Sequence, residues 1–71
     1  MRLHLLKLPI LTAKEAERLL FLANFVLIRS KGSHRIYNKG TERIVIPFHS
    51  GKTLHPKIVQ AVLNAIKPIT N

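Results

Sequence analysis

The chain has 71 residues, 46% of them apolar but only 6% aromatic, with no Trp and no Cys, which predicts one domain spanning 1–71 with a core of Leu, Ile and Val. The missing cysteines exclude disulfides, thiol catalysis and thiolate metal sites, and fit a reducing cytosol. Twelve Lys and Arg against three Glu and no Asp give a formal charge of +9, a field suited to phosphate polymers, acidic membranes or acidic proteins.

Residues 1–11 open with Arg2, Leu3, Leu5 and Leu6, but His4, Lys7 and Pro9 interrupt the apolar run, so it makes a poor signal peptide. No run of about 20 apolar residues exists to cross a membrane, and a cytoplasmic protein is expected. Thr12 followed by Glu15 matches a capping box, the hydroxyl accepting an unpaired backbone N–H while the carboxylate reaches back. A helix over residues 13–23 follows, with Ala16, Leu19, Leu20 and Ala23 on one face and Lys14, Glu17 and Arg18 outside it.

Residues 25–30 are rich in β-branched and aromatic side chains and predict a strand. Lys31-Gly32-Ser33 is a turn, residues 34–37 a second strand, and Asn38-Lys39-Gly40 a hairpin turn. A third strand over residues 42–48 places Ile44, Ile46 and Phe48 on one face, with Pro47 at its end or on an edge because Pro has no ladder donor. A loop over residues 49–53 leads to Pro56, suited to a first helical turn. Ile58, Val59, Val62, Leu63 and Ile66 then recur at helical spacing until Pro68 ends the run. The order is α-β-β-β-α, and its simplest packing is an α+β fold with both helices on one face of a three-stranded antiparallel sheet.

Elimination narrows the chemistry. Without Asp or Cys, neither a Ser-His-Asp nor a Cys-His arrangement can be assembled. Glu15 and Glu17, two apart on a helix, do not face each other, and a divalent-metal nuclease would need clustered carboxylates. Gly51-Lys52-Thr53 resembles the end of a P-loop, but position 46 is Ile where the motif needs Gly, leaving Lys52 and the loop N–H groups to hold one phosphate. The spacing of His4, His34, His49 and His55 matches no zinc pattern, so neither metal nor cofactor is expected.

Histidine remains the one ready acid or base near neutral pH. His34 is the best placed, starting a strand after a Gly-Ser turn with Lys31 and Arg35 flanking it, and cationic neighbours favour the neutral, base-competent imidazole. RNA carries its own nucleophile, the 2′-OH; a neutral imidazole can take that proton while Lys or Arg steadies the charged transition state. The plainer alternative is a turn histidine that only hydrogen-bonds locally or to phosphate. His49 is the candidate second acid or base, His55 serves the helix start, and Tyr37 is structural or stacks on a base.

Leu8-Pro9, Leu11-Thr12-Ala13-Lys14-Glu15, Phe25-Val26, Lys31-Gly32-Ser33-His34-Arg35-Ile36-Tyr37, Val45-Ile46-Pro47-Phe48-His49 and Gly51-Lys52-Thr53-Leu54, in this order, resemble the HicA (YcfA-like) toxin family. The resemblance implies a double-stranded-RNA-binding-domain-like fold and an mRNA interferase, the toxin of a type II toxin–antitoxin pair. It places the family's catalytic histidine on His34 and implies a HicB-type antitoxin that covers the toxin and blocks mRNA. Lys31, Arg35 and Lys52, with Ser33, would then contact the substrate phosphate. The chain departs from the family pattern with Asn24 in place of Gly, His55-Pro56-Lys57 in place of a small residue, and a longer start over residues 1–7. The rival expectations are a non-catalytic module for structured RNA and a basic partner for an acidic protein.

Overall fold

The computed structural model describes residues 8–49 and 51–67. The leading segment with His4, Ser50, and the expected helix stop at Pro68 lie outside the described residues. The elements are α1 (Ala13–Leu22), β1 (Val26–Lys31), β2 (His34–Lys39), β3 (Glu42–Pro47) and α2 (Pro56–Ile66). The sheet is antiparallel in the order β1-β2-β3, giving the α-β-β-β-α arrangement of a double-stranded-RNA-binding domain.

Local chemistry sets most boundaries. Thr12 caps α1: its hydroxyl accepts from the Glu15 N–H at 3.2 Å, and the Glu15 carboxylate accepts from the Thr12 N–H at 2.9 Å. After α1 the chain reverses through Asn24 at φ 74°, a left-handed conformation that Asn tolerates better than other residues with a Cβ. Both hairpins have two-residue loops, Gly32-Ser33 and Gly40-Thr41, whose first residue takes a positive φ. The second loop lies further along than expected, because Asn38 and Lys39 pair with Arg43 and Glu42 instead of turning. Pro47 ends the edge strand β3, where no further ladder donor is required. Pro56 opens α2, and His55 caps it by accepting the Lys57 N–H on Nδ1 at 3.0 Å.

The core lies between the helices and one sheet face. Leu20, Tyr37, Ile46, Val59 and Val62 are fully buried there, with Ala16 and Phe25 beside them. Replacing one such aliphatic side chain by Ala costs about 2–5 kcal/mol, a large share of the roughly 5–15 kcal/mol that holds a domain folded. The opposite sheet face carries no helix: Val26 and Val45 are 64% and 40% exposed. Alternation along the strands sends Arg35, Tyr37 and Ile46 to the helix side and His34, Ile36 and Val45 to the open side. A β-bulge between Leu27 and Arg29 shifts the register of β1, so Arg29 and Lys31 come opposite Ile36 and His34.

Glu17 corrects the expectation drawn from helical spacing. It does not project outward with Lys14 and Arg18; it tucks against the sheet, its side chain 14% exposed. Its Oε2 accepts hydrogen bonds from Arg35 Nη1 at 2.9 Å and from the Tyr37 hydroxyl at 2.6 Å.

Candidate functional site

The residues that carry chemistry gather at one end of the sheet. There β1 ends at Lys31, β2 begins at His34, and β3 ends at Pro47, in register as Lys31↔His34 and His34↔Pro47. The Phe48 N–H donates to the Ser33 carbonyl at 2.6 Å, tying the chain that leaves β3 to the Gly32-Ser33 turn. Beyond it, the Lys52 N–H donates to the His49 carbonyl at 3.2 Å. A bridge between Thr12 and Thr53, with the Leu54 N–H donating to the Leu11 carbonyl at 2.8 Å, fastens this loop to the start of α1. The N-termini of both helices therefore border the same region.

His34 is exposed, on the open face at the mouth of the first hairpin, with Lys31 as its cross-strand partner. It is not sealed in the core, so a polymer can reach it. Ser33 is also exposed, in the turn just before it. Arg35 does not sit beside His34 as its sequence neighbourhood suggests, because successive side chains of a strand point to opposite faces. It lies on the helix side, its guanidinium 4.0 Å above the Phe48 ring and bonded to Glu17. Hydrogen bonding to that carboxylate raises the guanidinium pKa further, keeping the group charged.

Arg35, His49 and Lys52 do come together. With Lys14, Phe48 and the residues at the start of α1 they line a cleft of about 520 Å³ on the helix side. His49 also borders a smaller hollow of about 190 Å³ beside Pro47 and His55. The expected site residues thus divide in two across the sheet end: Lys31, Ser33 and His34 around the hairpin, and Arg35, His49 and Lys52 in the cleft.

Two members of this region escaped the sequence reading. Lys14, in the first turn of α1, joins the cleft with Phe48, His49, Gly51 and Lys52. Glu17 supplies the carboxylate that holds Arg35 and Tyr37. Strand alternation contained part of this signal, since a buried Tyr37 obliges Arg35 to share the helix side. Tyr37 is structural: it is fully buried, edge-on to Phe21 at 5.9 Å between ring centroids, and burial followed by the Glu17 hydrogen bond pushes its phenol well above the ordinary value. His55 also has a structural duty, as the cap of α2.

The three carboxylates are dispersed. Glu15 caps α1, Glu17 serves Arg35 and Tyr37, and Glu42 sits at the other end of the sheet opposite Lys39. Among the described residues, no group of three or more His, Asp or Glu side chains comes together to ligate a metal. No helix among the described residues is long and apolar enough to cross a membrane.

Comparison with curated proteins and with solved structures returned no match. A family model described as HicA toxin of bacterial toxin–antitoxin matches residues 13–67, from the start of α1 to the end of α2. That span holds the whole sheet, the hairpin with His34 and the cationic cleft, and the chain belongs to the HicA toxin family, the toxin side of a pair whose other member is an antitoxin.

Proposed function

We propose that this toxin is an endoribonuclease, an mRNA interferase that stops translation in the cytoplasm by cutting mRNA, with His34 as its general base. The observation that carries the reading is an exposed imidazole at the start of β2, opposite Lys31 on the open face, at the same end of the sheet as the cationic cleft on the helix side. RNA brings its own nucleophile. The His34 imidazole takes the proton of a 2′-OH as that oxygen attacks the adjacent phosphorus. The bond from phosphorus to the 5′-oxygen breaks, leaving a 2′,3′-cyclic phosphate on one product and a 5′-hydroxyl on the other. His49, on the rim beyond β3, is the proposed acid for the leaving oxygen. Lys31 and the Ser33 hydroxyl hold the phosphate on the hairpin side, while Arg35 and Lys52 hold the flanking strand in the cleft. Positioned acid–base groups of this kind contribute about 10²–10⁴-fold each.

The route asks nothing of a metal; Glu15 and Glu17 are engaged within the fold, and Glu42 lies at the other end of the sheet. The antitoxin is proposed to be of the HicB type and to act by covering His34. The open face that carries His34 supports this, since it also leaves Val26 and Val45 uncovered, apolar surface that a protein partner would bury.

Purified protein and a mixed-sequence RNA in EDTA test the reading. The expected result is cleavage to cyclic-phosphate ends and none of the all-2′-deoxy strand. RNA binding with no cleavage would establish the non-catalytic module instead, and no RNA affinity at low salt would favour the basic partner for an acidic protein.

A further inference from the structure

The cleft holds an arginine that is fixed before any ligand arrives. Arg35 reaches from β2 to the helix side, where its guanidinium carbon lies over the Phe48 ring, 4.0 Å from the centroid, and one nitrogen, Nη1, donates to Glu17 at 2.9 Å. A guanidinium has five N–H donors in a planar fork, and this bond takes one. The side chain also lines the cleft with Lys14, His49 and Lys52. Glu17 is itself held, because the same oxygen accepts from the buried Tyr37 hydroxyl at 2.6 Å. The chain of contacts runs from the core through Tyr37 to Glu17, then to Arg35, and ends in the cleft.

A carboxylate beside a phosphate-binding arginine would ordinarily oppose the ligand, since it adds negative charge where a polyanion must come. Here it sits behind the guanidinium, on the α1 side, and removes the rotamer freedom that a long side chain otherwise loses on binding. Resting on the reading of Arg35 as an RNA contact, we propose that Glu17 is a positioning residue: it presets the Arg35 fork against Phe48 for a backbone phosphate of the RNA strand in the cleft.

Two substitutions separate position from charge. Glu17→Asp keeps the charge but shortens the reach by one methylene, so Arg35 loses its anchor; Glu17→Gln loses the charge but keeps an acceptor oxygen at full reach. Positioning predicts that Asp raises the Kd and the KM for RNA about tenfold with kcat little changed, and that Gln stays within about threefold of the native chain. A purely electrostatic role predicts the reverse pattern, with Asp unchanged and Gln binding more tightly. Kd is read on a 30-nucleotide RNA with each substitution placed in a His34→Ala background, so the readout does not depend on turnover, and KM against kcat is read in the active chain. Thermal melts accompany each variant, and Val62→Ala, in the buried face of α2 away from Arg35, Glu17 and Tyr37, is the control that lowers stability with Kd unchanged. An Asp variant with native affinity, or a Gln variant that binds more tightly than native, overturns the proposal; should Asp fail to fold, the Gln variant alone decides it by the same criterion. RNA affinity with the wrong pattern sinks this inference and leaves the nuclease reading standing, whereas cleavage at the native rate by His34→Ala sinks that reading and leaves the affinity pattern intact. Absence of RNA binding by the native chain sinks both.

Discussion

Replacing Tyr37 by Phe removes a single oxygen from the fully buried centre of the domain and leaves the ring, with its edge-on contact to Phe21, in place. The lost bond is the 2.6 Å donation to the Glu17 carboxylate. Hydrogen bonds to charged groups contribute about 1.5–3 kcal/mol, and because Arg35 still satisfies the same oxygen the lower end applies, about 1.5 kcal/mol. For a domain this small, each kcal/mol moves Tm by about 4–8 °C, so a fall of about 6–12 °C is expected in circular-dichroism melts at pH 7. The pH dependence gives a second readout. Burial and the neighbouring carboxylate raise the phenol pKa in the folded chain above its ordinary value of 10.0. The folded state therefore keeps a proton that the unfolded state releases, and the native chain loses stability as pH rises past about 10, by at most about 1.4 kcal/mol per pH unit for this one group. The Phe variant has no such group, so the gap between the two melting curves should narrow between pH 10 and 11.5. Equal Tm values at pH 7, or a gap that stays constant through that range, would refute the account of the Tyr37–Glu17 bond.

Three further outcomes follow from named contacts. Asn24→Ala places a Cβ without a polar side chain at φ 74°, and should cost about 1 kcal/mol in thermal melts, while Asn24→Gly should cost less than half as much. His55→Asp puts a stronger cap and a negative charge at the start of α2, and should raise stability by about 0.5–1 kcal/mol in urea unfolding; a loss would contradict the assigned cap. Lys52→Ala should lower the slope of log K against log salt for RNA binding by about 1, and an unchanged slope removes Lys52 from the phosphate contacts.

The parts of the fold that were legible are those where one residue type has one physical use. Thr12 with Glu15, the hairpin glycines, Pro47 at a strand end and Pro56 at a helix start each specify a local geometry, and the elements follow them. Asn24 stands where the family pattern has Gly, and the structure gives it the left-handed φ that Gly adopts freely. What was hidden depends on tertiary partners. Nothing in the helical spacing says that Glu17 enters the layer between helix and sheet, because a carboxylate there is stable only with Arg35 and Tyr37 opposite it. The bulge in β1 is equally silent, and it decides which side chains of that strand share the face of His34. Sequence adjacency misled at Arg35, where alternation of the strand outweighs proximity along the chain.

The claim on which the account turns is that the His34 imidazole moves the proton of a ribose hydroxyl. Single-turnover cleavage by His34→Ala, with RNA affinity and melting measured on the same preparation, tests it most directly. The side chain is exposed, so Tm should hold within the effect of about 0.5 kcal/mol, and RNA affinity should stay within about threefold, while the cleavage rate falls at least about 10²-fold. A folded variant that still cuts RNA at the native rate would contradict the account.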